Sequence, residues 1–212
     1  MKFLHTSDWH VGRTLNGWSL LEEQEWAFQQ IVDLAISEKV DGVIIAGDLY
    51  DRAVPPVDAI KLFNKTLARL VLEEQIPVYA ISGNHDGAER LHFGRDFFQP
   101  QGLHLSTRLE EAFEPIELED CQIFLLPFID PIDARIYYKD AVLIHKVHAK
   151  SLTRLTLFPY KSSLQPIGPS SCTLLGWFRL SSIDQYSSLL PPVGVWTVSQ
   201  FQCGGPSSQN PY

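Results

Sequence analysis

Gly42-Val43-Ile44-Ile45-Ala46-Gly47-Asp48-Leu49-Tyr50-Asp51 decides the fold. Its first half is continuously apolar instead of alternating, the pattern of a strand buried on both faces of a parallel sheet. Gly47-Asp48 then ends the strand in a turn. Upstream, residues 2–7 read as a short strand ending at Asp8-Trp9-His10, and downstream, residues 77–82 read as a third strand ending at Gly83-Asn84-His85-Asp86. Helical patterns fill the gaps. Ser19 and Glu22 have capping-box spacing ahead of an apolar stripe at Ala27, Ile31, Leu34 and Ala35. Pro55-Pro56 can open a second helix, with Ile60, Phe63, Leu67 and Leu70 as its core face. Strand, helix, strand, helix, strand specifies an α/β fold in which helices cover a sheet. Further on, residues 115–118 and 122–126 flank a polar turn at Glu119-Asp120 and predict a hairpin.

Composition divides the 212 residues in two. Residues 1–140 carry 12 Lys+Arg against 24 Asp+Glu, whereas residues 141–212 carry 5 against the single acid Asp184. The overall charge of −8 therefore hides an acidic first part and a weakly basic tail. The tail has no glutamate, five Ser-Ser pairs, and Leu, Phe and Trp in no clear period. A solvated Ser/Pro-rich linker would not be so apolar. The expectation is that residues 1–140 form the N-terminal part of a folded domain. Residues 141–212 are then an atypical, poorly ordered tail, of the kind produced when translation continues in a shifted frame.

Cys121, Cys172 and Cys203 are too widely spaced for a disulfide framework or zinc cluster, which suits a reducing compartment. No run of about 18 apolar residues occurs, and the first residues lack a secretion signal. The expected location is cytoplasmic.

All three strands finish in residues able to hold a metal ion: Asp8 and His10, then Asp48 and Asp51, then Asn84, His85 and Asp86. In an open α/β sheet the carboxyl ends of the strands line the ligand crevice, so these groups should converge. Asp8 and His10, two apart on an extended segment, are expected on one side. Oxygen and nitrogen donors without cysteine suit Mn²⁺, Fe or Zn²⁺ better than Mg²⁺ alone. Two such ions a few ångströms apart are common machinery for phosphoester hydrolysis. His5 reads as a strand histidine, and His92 and His104 as surface or helix-face residues.

Taken in order, Asp8-Trp9-His10, Gly47-Asp48-Leu49-Tyr50-Asp51 and Gly83-Asn84-His85-Asp86 resemble the first three motifs of the calcineurin-like metallophosphoesterases. More narrowly, Thr6-Ser7-Asp8-Trp9-His10-Val11-Gly12-Arg13, Gly47-Asp48-Leu49-Tyr50-Asp51-Arg52, Ser82-Gly83-Asn84-His85-Asp86 with Arg90-Leu91, and Leu126-Pro127-Phe128 resemble the nuclease subunits of bacterial SbcCD complexes. The likeness covers about residues 1–140. It implies a four-layered α/β sandwich of mixed sheets flanked by helices, apparently truncated here. It also implies a nuclease with two divalent ions, Mn²⁺, acting on DNA ends and hairpins in replication, recombination and repair. Its activities would be an ATP-dependent double-strand exonuclease and a single-strand endonuclease, working as a homodimer with an SbcC-like ATPase. By motif position Asp8 and His10 would hold one ion, Asp48 would bridge, and Asn84 would hold the other. His85 would be the catalytic histidine, oriented by Asp86.

The same resemblance implies a later strand-end histidine and a Gly-His-x-His motif, and the sequence contains no Gly-His-x-His. His145 and His148 follow an apolar stretch, but no glycine precedes them and they come soon after Tyr137-Tyr138, where the family has a helix. The expectation is therefore an open, weak metal site, a marginal or inactive nuclease fragment, and a sheet with one unpaired edge and one uncovered face. Two other functions compete: a small-molecule phosphodiesterase or phosphatase, and a non-catalytic binding or dimerisation module. Trp9, Arg13, Arg52 and Arg90 near the strand ends favour DNA.

Overall fold

The computed structural model describes residues 1–119, 121–130 and 132, together with the backbone of a strand at 196–200. In chain order the elements are β1 (Lys2–Thr6), a two-stranded hairpin of β2 (Thr14–Leu15) and β3 (Trp18–Ser19), α1 (Leu21–Ser37) and β4 (Gly42–Ala46). Next come α2 (Val57–Ala68), continued by a π-helical turn at Arg69–Glu73, then β5 (Val78–Ile81), α3 (Ala88–His92), α4 (Arg95–Phe98) and β6 (Leu103–Ser106). A second hairpin pairs β7 (Ile116–Glu117) with β8 (Gln122–Ile123), and the last described element is β9 (Trp196–Gln200).

The main sheet has the order β6-β5-β4-β1-β9. Its first four strands are parallel, with registers such as His5 opposite Ile44, Ile44 opposite Tyr79 and Tyr79 opposite His104. β4 is buried along its whole length, as its unbroken apolar run requires. The sheet's two faces then follow from the period of two. Leu4, Val43, Ile45, Val78 and Ala80 point to the helices and pack with Phe28, Ile31 and Val32 of α1 and Leu62 and Phe63 of α2. Phe3, Ile44, Tyr79 and Ile81 point the other way and pack with Ile123 and Leu125 from the β7–β8 hairpin and the segment after it. No helix among the described residues is long and apolar enough to cross a membrane.

Several expectations change. Ser19 does not cap α1: the N-cap is Leu20, and Ser19 lies in β3 with only a long 3.4 Å bond from the Leu21 N–H to its hydroxyl. The chain enters α1 from a hairpin, and the backbone geometry of that hairpin outweighs the capping spacing. On α2 the core face is Ala59, Leu62, Phe63 and Thr66, while Ile60 is 46% exposed. The small Ala59 lets the helix approach the loop at Gly12, so the buried stripe is rotated by about one residue. His104 is a strand residue stacked on Tyr79, with ring centroids 5.0 Å apart, and burial lowers the pKa of both His104 and His5.

Among the described residues the sheet's edge strands are β6 and β9, each paired on one side only. β9 pairs antiparallel with β1, from Lys2 opposite Gln200 to Thr6 opposite Trp196. Thus part of the atypical tail adds a strand to the sheet beside β1, and the hairpin covers part of the second face. The rest of the tail expectation, with His145 and His148, lies outside the described residues.

Candidate metal centre

The site begins with backbone that ordinary residues avoid. Asp8, His10 and Asp48 all have left-handed φ, at 56°, 43° and 49°, beside Gly47 at 84° and Gly12 at 88°. For a residue with a Cβ this conformation costs about 1–2 kcal/mol, somewhat less for Asp and His. Such strain persists only where surrounding bonds fix it, and it clusters at functional sites. Here the loops after β1 and β4 brace each other. The Asp8 N–H donates to the Gly47 carbonyl (3.1 Å), His10 N–H to Asp48 (2.9 Å) and Val11 N–H to Leu49 (3.0 Å).

Asp8 and His10 therefore do not meet by extended alternation, as the sequence suggested. Two left-handed turns curl the chain so that His10 Nε2 lies 3.9 Å from Asp8 Oδ1 and 3.6 Å from Asp48 Oδ2. On the ring's other side Nδ1 lies 3.6 Å from Asp51 Oδ1. The third strand end completes the cluster: the His85 backbone N–H donates to Asp48 Oδ1 (3.0 Å), and the His85 ring meets His10 edge-on at 4.7 Å. The His85 Nδ1 is 2.9 Å from the Asp51 carbonyl oxygen. A carbonyl only accepts, so that nitrogen carries the proton and Nε2 remains to give or take one. Asn84 is exposed between Gly83 and His85.

Asp86 acts differently from the expectation. Its carboxylate does not hold the His85 ring; it accepts the backbone N–H groups of Leu49 (2.9 Å), Tyr50 (2.8 Å) and Gly83 (2.8 Å). It thereby ties the loop after β4 to the loop after β5, and positions His85 through the main chain. Burial pushes its carboxyl above the usual range, with the three N–H bonds opposing and the Asp48 carboxylate adding to the rise. Gly83 allows the two loops to close. A Cβ there would sit 2.8 Å from Asp48 Cγ and overlap the Asp48 backbone nitrogen.

Two sets of ligand atoms result, each within 4.8 Å: Asp8, His10 and Asp48, and His10, Asp51 and His85. The donor chemistry fits a divalent ion of intermediate softness. So does His10 Nδ1, which is buried with no hydrogen-bond partner among the described residues. Of the sequence-derived site residues, Asp8, His10, Asp48 and His85 come together, Asp86 supports them from behind, and Asn84 stands at the rim. Asp51, given no role by the resemblance, joins the cluster. Gln24 was missed altogether; its only sequence signal was a polar residue on the apolar side of α1.

Trp9 departs most from expectation. It is 1% exposed, stacked on Phe28 (4.5 Å) and edge-on to Phe63 (5.9 Å), and its indole N–H donates to Thr6 Oγ1 (3.0 Å). It anchors the ligand loop to the core and presents nothing to a substrate. Trp18, by contrast, is 78% exposed on the β2–β3 hairpin, whose Asn16-Gly17 turn has both residues at positive φ.

The calcineurin-like phosphoesterase profile matches residues 1–179. The chain belongs to that family. Within this phosphoesterase family it is 44% identical over 140 residues to the SbcD protein of the SbcCD nuclease of Staphylococcus epidermidis, an alignment covering 66% of this chain and 37% of the relative. The chain thus spans little more than a third of that relative's length. Among solved structures, the E. coli phosphoesterase Yfce is similar at 20% identity over 63% of this chain and 66% of that one, with a TM-score of 0.31. Calcineurin-like phosphoesterases use divalent metal ions, and the clustered carboxylates and imidazoles are the residues able to hold them here.

Proposed function

We propose that this chain is the N-terminal part of an SbcD-type, metal-dependent phosphodiesterase that cuts DNA, with low turnover of its own. The observation carrying this reading is the convergence of Asp8, His10, Asp48, Asp51 and His85 at the ends of three parallel strands. Asp8, His10 and Asp48 would hold one ion and Asp48 and Asn84 the other, with Mn²⁺ the favoured metal. Such ions polarise a phosphoryl oxygen and make water nucleophilic at neutral pH. The protein's part is to hold the carboxylates in place and to keep His85 Nε2 available for a leaving-group proton or a phosphoryl oxygen.

The likeness to a protein named as a nuclease favours DNA as substrate. So do the exposed Arg13, Arg52 and Arg90 around the strand ends, and Trp18 on a hairpin that begins four residues after His10. An exposed tryptophan offers a face for an unpaired base. Residues 1–140 carry 24 Asp+Glu against 12 Lys+Arg, so DNA affinity should rise with metal loading and fall steeply with salt. The remaining parts of the proposal follow from the family resemblance of the sequence motifs: an SbcC-like ATPase partner, ATP-dependent exonuclease and single-strand endonuclease activity in replication, recombination and repair, and a cytoplasmic location. A homodimer is consistent with the exposed Phe93 (83%), which follows the last residue of α3, and Phe97 (81%) on α4. The domain pattern is proposed to break near residue 140, where composition shifts. Without a Gly-His-x-His sequence the metal shell is thinner, which is the basis for low turnover.

The test compares a single-stranded oligonucleotide with thymidine p-nitrophenyl phosphate, with and without Mn²⁺. Slow Mn²⁺-dependent cutting of DNA is expected to exceed hydrolysis of the nucleotide ester, and His85→Gln is expected to lower it by about 10²–10⁴-fold. Preference for the ester would instead indicate a small-molecule phosphodiesterase. No Mn²⁺-stimulated cleavage of either would leave a non-catalytic binding module.

A further inference from the structure

Gln24 lies outside every metal-binding motif, yet it makes more hydrogen bonds to the first ligand loop than any other side chain among the described residues. It projects from the first turn of α1 and is 1% exposed. Its Nε2 donates to the Trp9 carbonyl (3.1 Å) and to the His10 carbonyl (2.8 Å), and its Oε1 accepts the Gly12 N–H (3.0 Å). We propose that Gln24 is a positioning residue that holds Asp8 and His10 in the left-handed conformations from which they reach a metal ion. This rests on the reading of those two residues as ligands.

The loop presents two carbonyls and one N–H to the same point. Only a neutral amide supplies two donors and an acceptor together, and the partners fix which way round it sits. The anchor is firm because α1 also carries Phe28, on which the Trp9 ring stacks at 4.5 Å. One helix thus grips the loop twice, by ring packing and by backbone hydrogen bonds. Strained left-handed residues on either side of Trp9 need such fixation to persist. A burial role alone would be served as well by an apolar side chain, which would leave buried polar backbone groups unpaired.

The variants Gln24→Met and Gln24→Glu keep the side chain's length. The first loses all three bonds, and the second keeps the acceptor but sets an oxygen against two carbonyls. Two readouts decide. In the metal-free protein, hydrogen exchange at the His10, Val11 and Gly12 amides should accelerate at least tenfold while β4 and β5 amides hold. Mn²⁺ affinity, followed by electron paramagnetic resonance, should fall about 10- to 100-fold, the usual scale for losing an outer support of a metal ligand. Unchanged loop exchange in a folded variant overturns the proposal, as does equal acceleration in β4 and β5, which would mean a general packing role. If the parent chain binds no Mn²⁺, the ligand reading of Asp8 and His10 fails, and the exchange arm still decides whether Gln24 fixes the loop.

Discussion

Gly83→Ala is expected to cost about 3 kcal/mol of stability and to weaken Mn²⁺ binding at least 100-fold. Overpacking a tight site usually costs 1–3 kcal/mol, and the upper end applies here because the obstruction is main chain as well as side chain. The added methyl would collide with the Asp48 backbone nitrogen and Oδ1, and lie 2.8 Å from Asp48 Cγ. Nothing nearby can yield cheaply. Asp48 is only 8% exposed and has φ 49°, its Oδ1 takes the His85 N–H, and its carbonyl takes the His10 N–H. Relief therefore separates the loops after β4 and β5, and with them Asp48 from His85. Urea denaturation together with a Mn²⁺ titration checks both effects. A midpoint matching the parent's, with metal affinity retained, would show that the two loops are not in the tight contact described.

Asp86→Ala is expected to lower stability by about 3–5 kcal/mol. Its carboxylate accepts three backbone N–H groups, from Leu49, Tyr50 and Gly83. Stranding a buried donor costs about 1–3 kcal/mol, and the partial burial here lets water recover some of that. Asp86→Asn should fall in between, since its one oxygen can serve at most two of the three donors. Thermal and urea unfolding of both variants measure the order: parent, then Asn, then Ala. If Asn and Ala unfold alike, the count of N–H bonds is not what matters.

Both effects arise where the sequence was most and least legible. Strand positions were readable because Val43, Ile44, Ile45 and Ala46 have no polar partner to offer, so both faces must be covered. The convergence of Asp8, Asp48 and His85 then followed from strand ends in a parallel sheet. What could not be read was how the clustered side chains are held. The left-handed turns at Asp8 and His10 replace extended alternation, and they depend on Gly47, Gly12 and a glutamine fourteen residues beyond His10. Trp9, between Asp8 and His10, looked like a substrate contact, yet its ring fills the gap between Phe28 and Phe63. Spacing alone does not distinguish an aromatic that faces solvent from one that faces the core. The role of Asp86 was hidden for a related reason: its partners are backbone N–H groups, which leave no mark in the side-chain sequence. The pairing of β9 with β1 was equally unreadable, because the tail's composition gave no periodic signal.

Mn²⁺ titration of the parent chain beside Asp48→Ala, followed by loss of the free-ion paramagnetic signal, tests the metal centre most directly. Asp48 touches the other two strand ends, through its carbonyl to His10 and its carboxylate to His85. Saturable binding by the parent, weakened at least 100-fold in a folded Asp48→Ala protein, is expected. Equal binding by the two proteins, or none by the parent, would contradict the assignment of these strand ends as a metal centre.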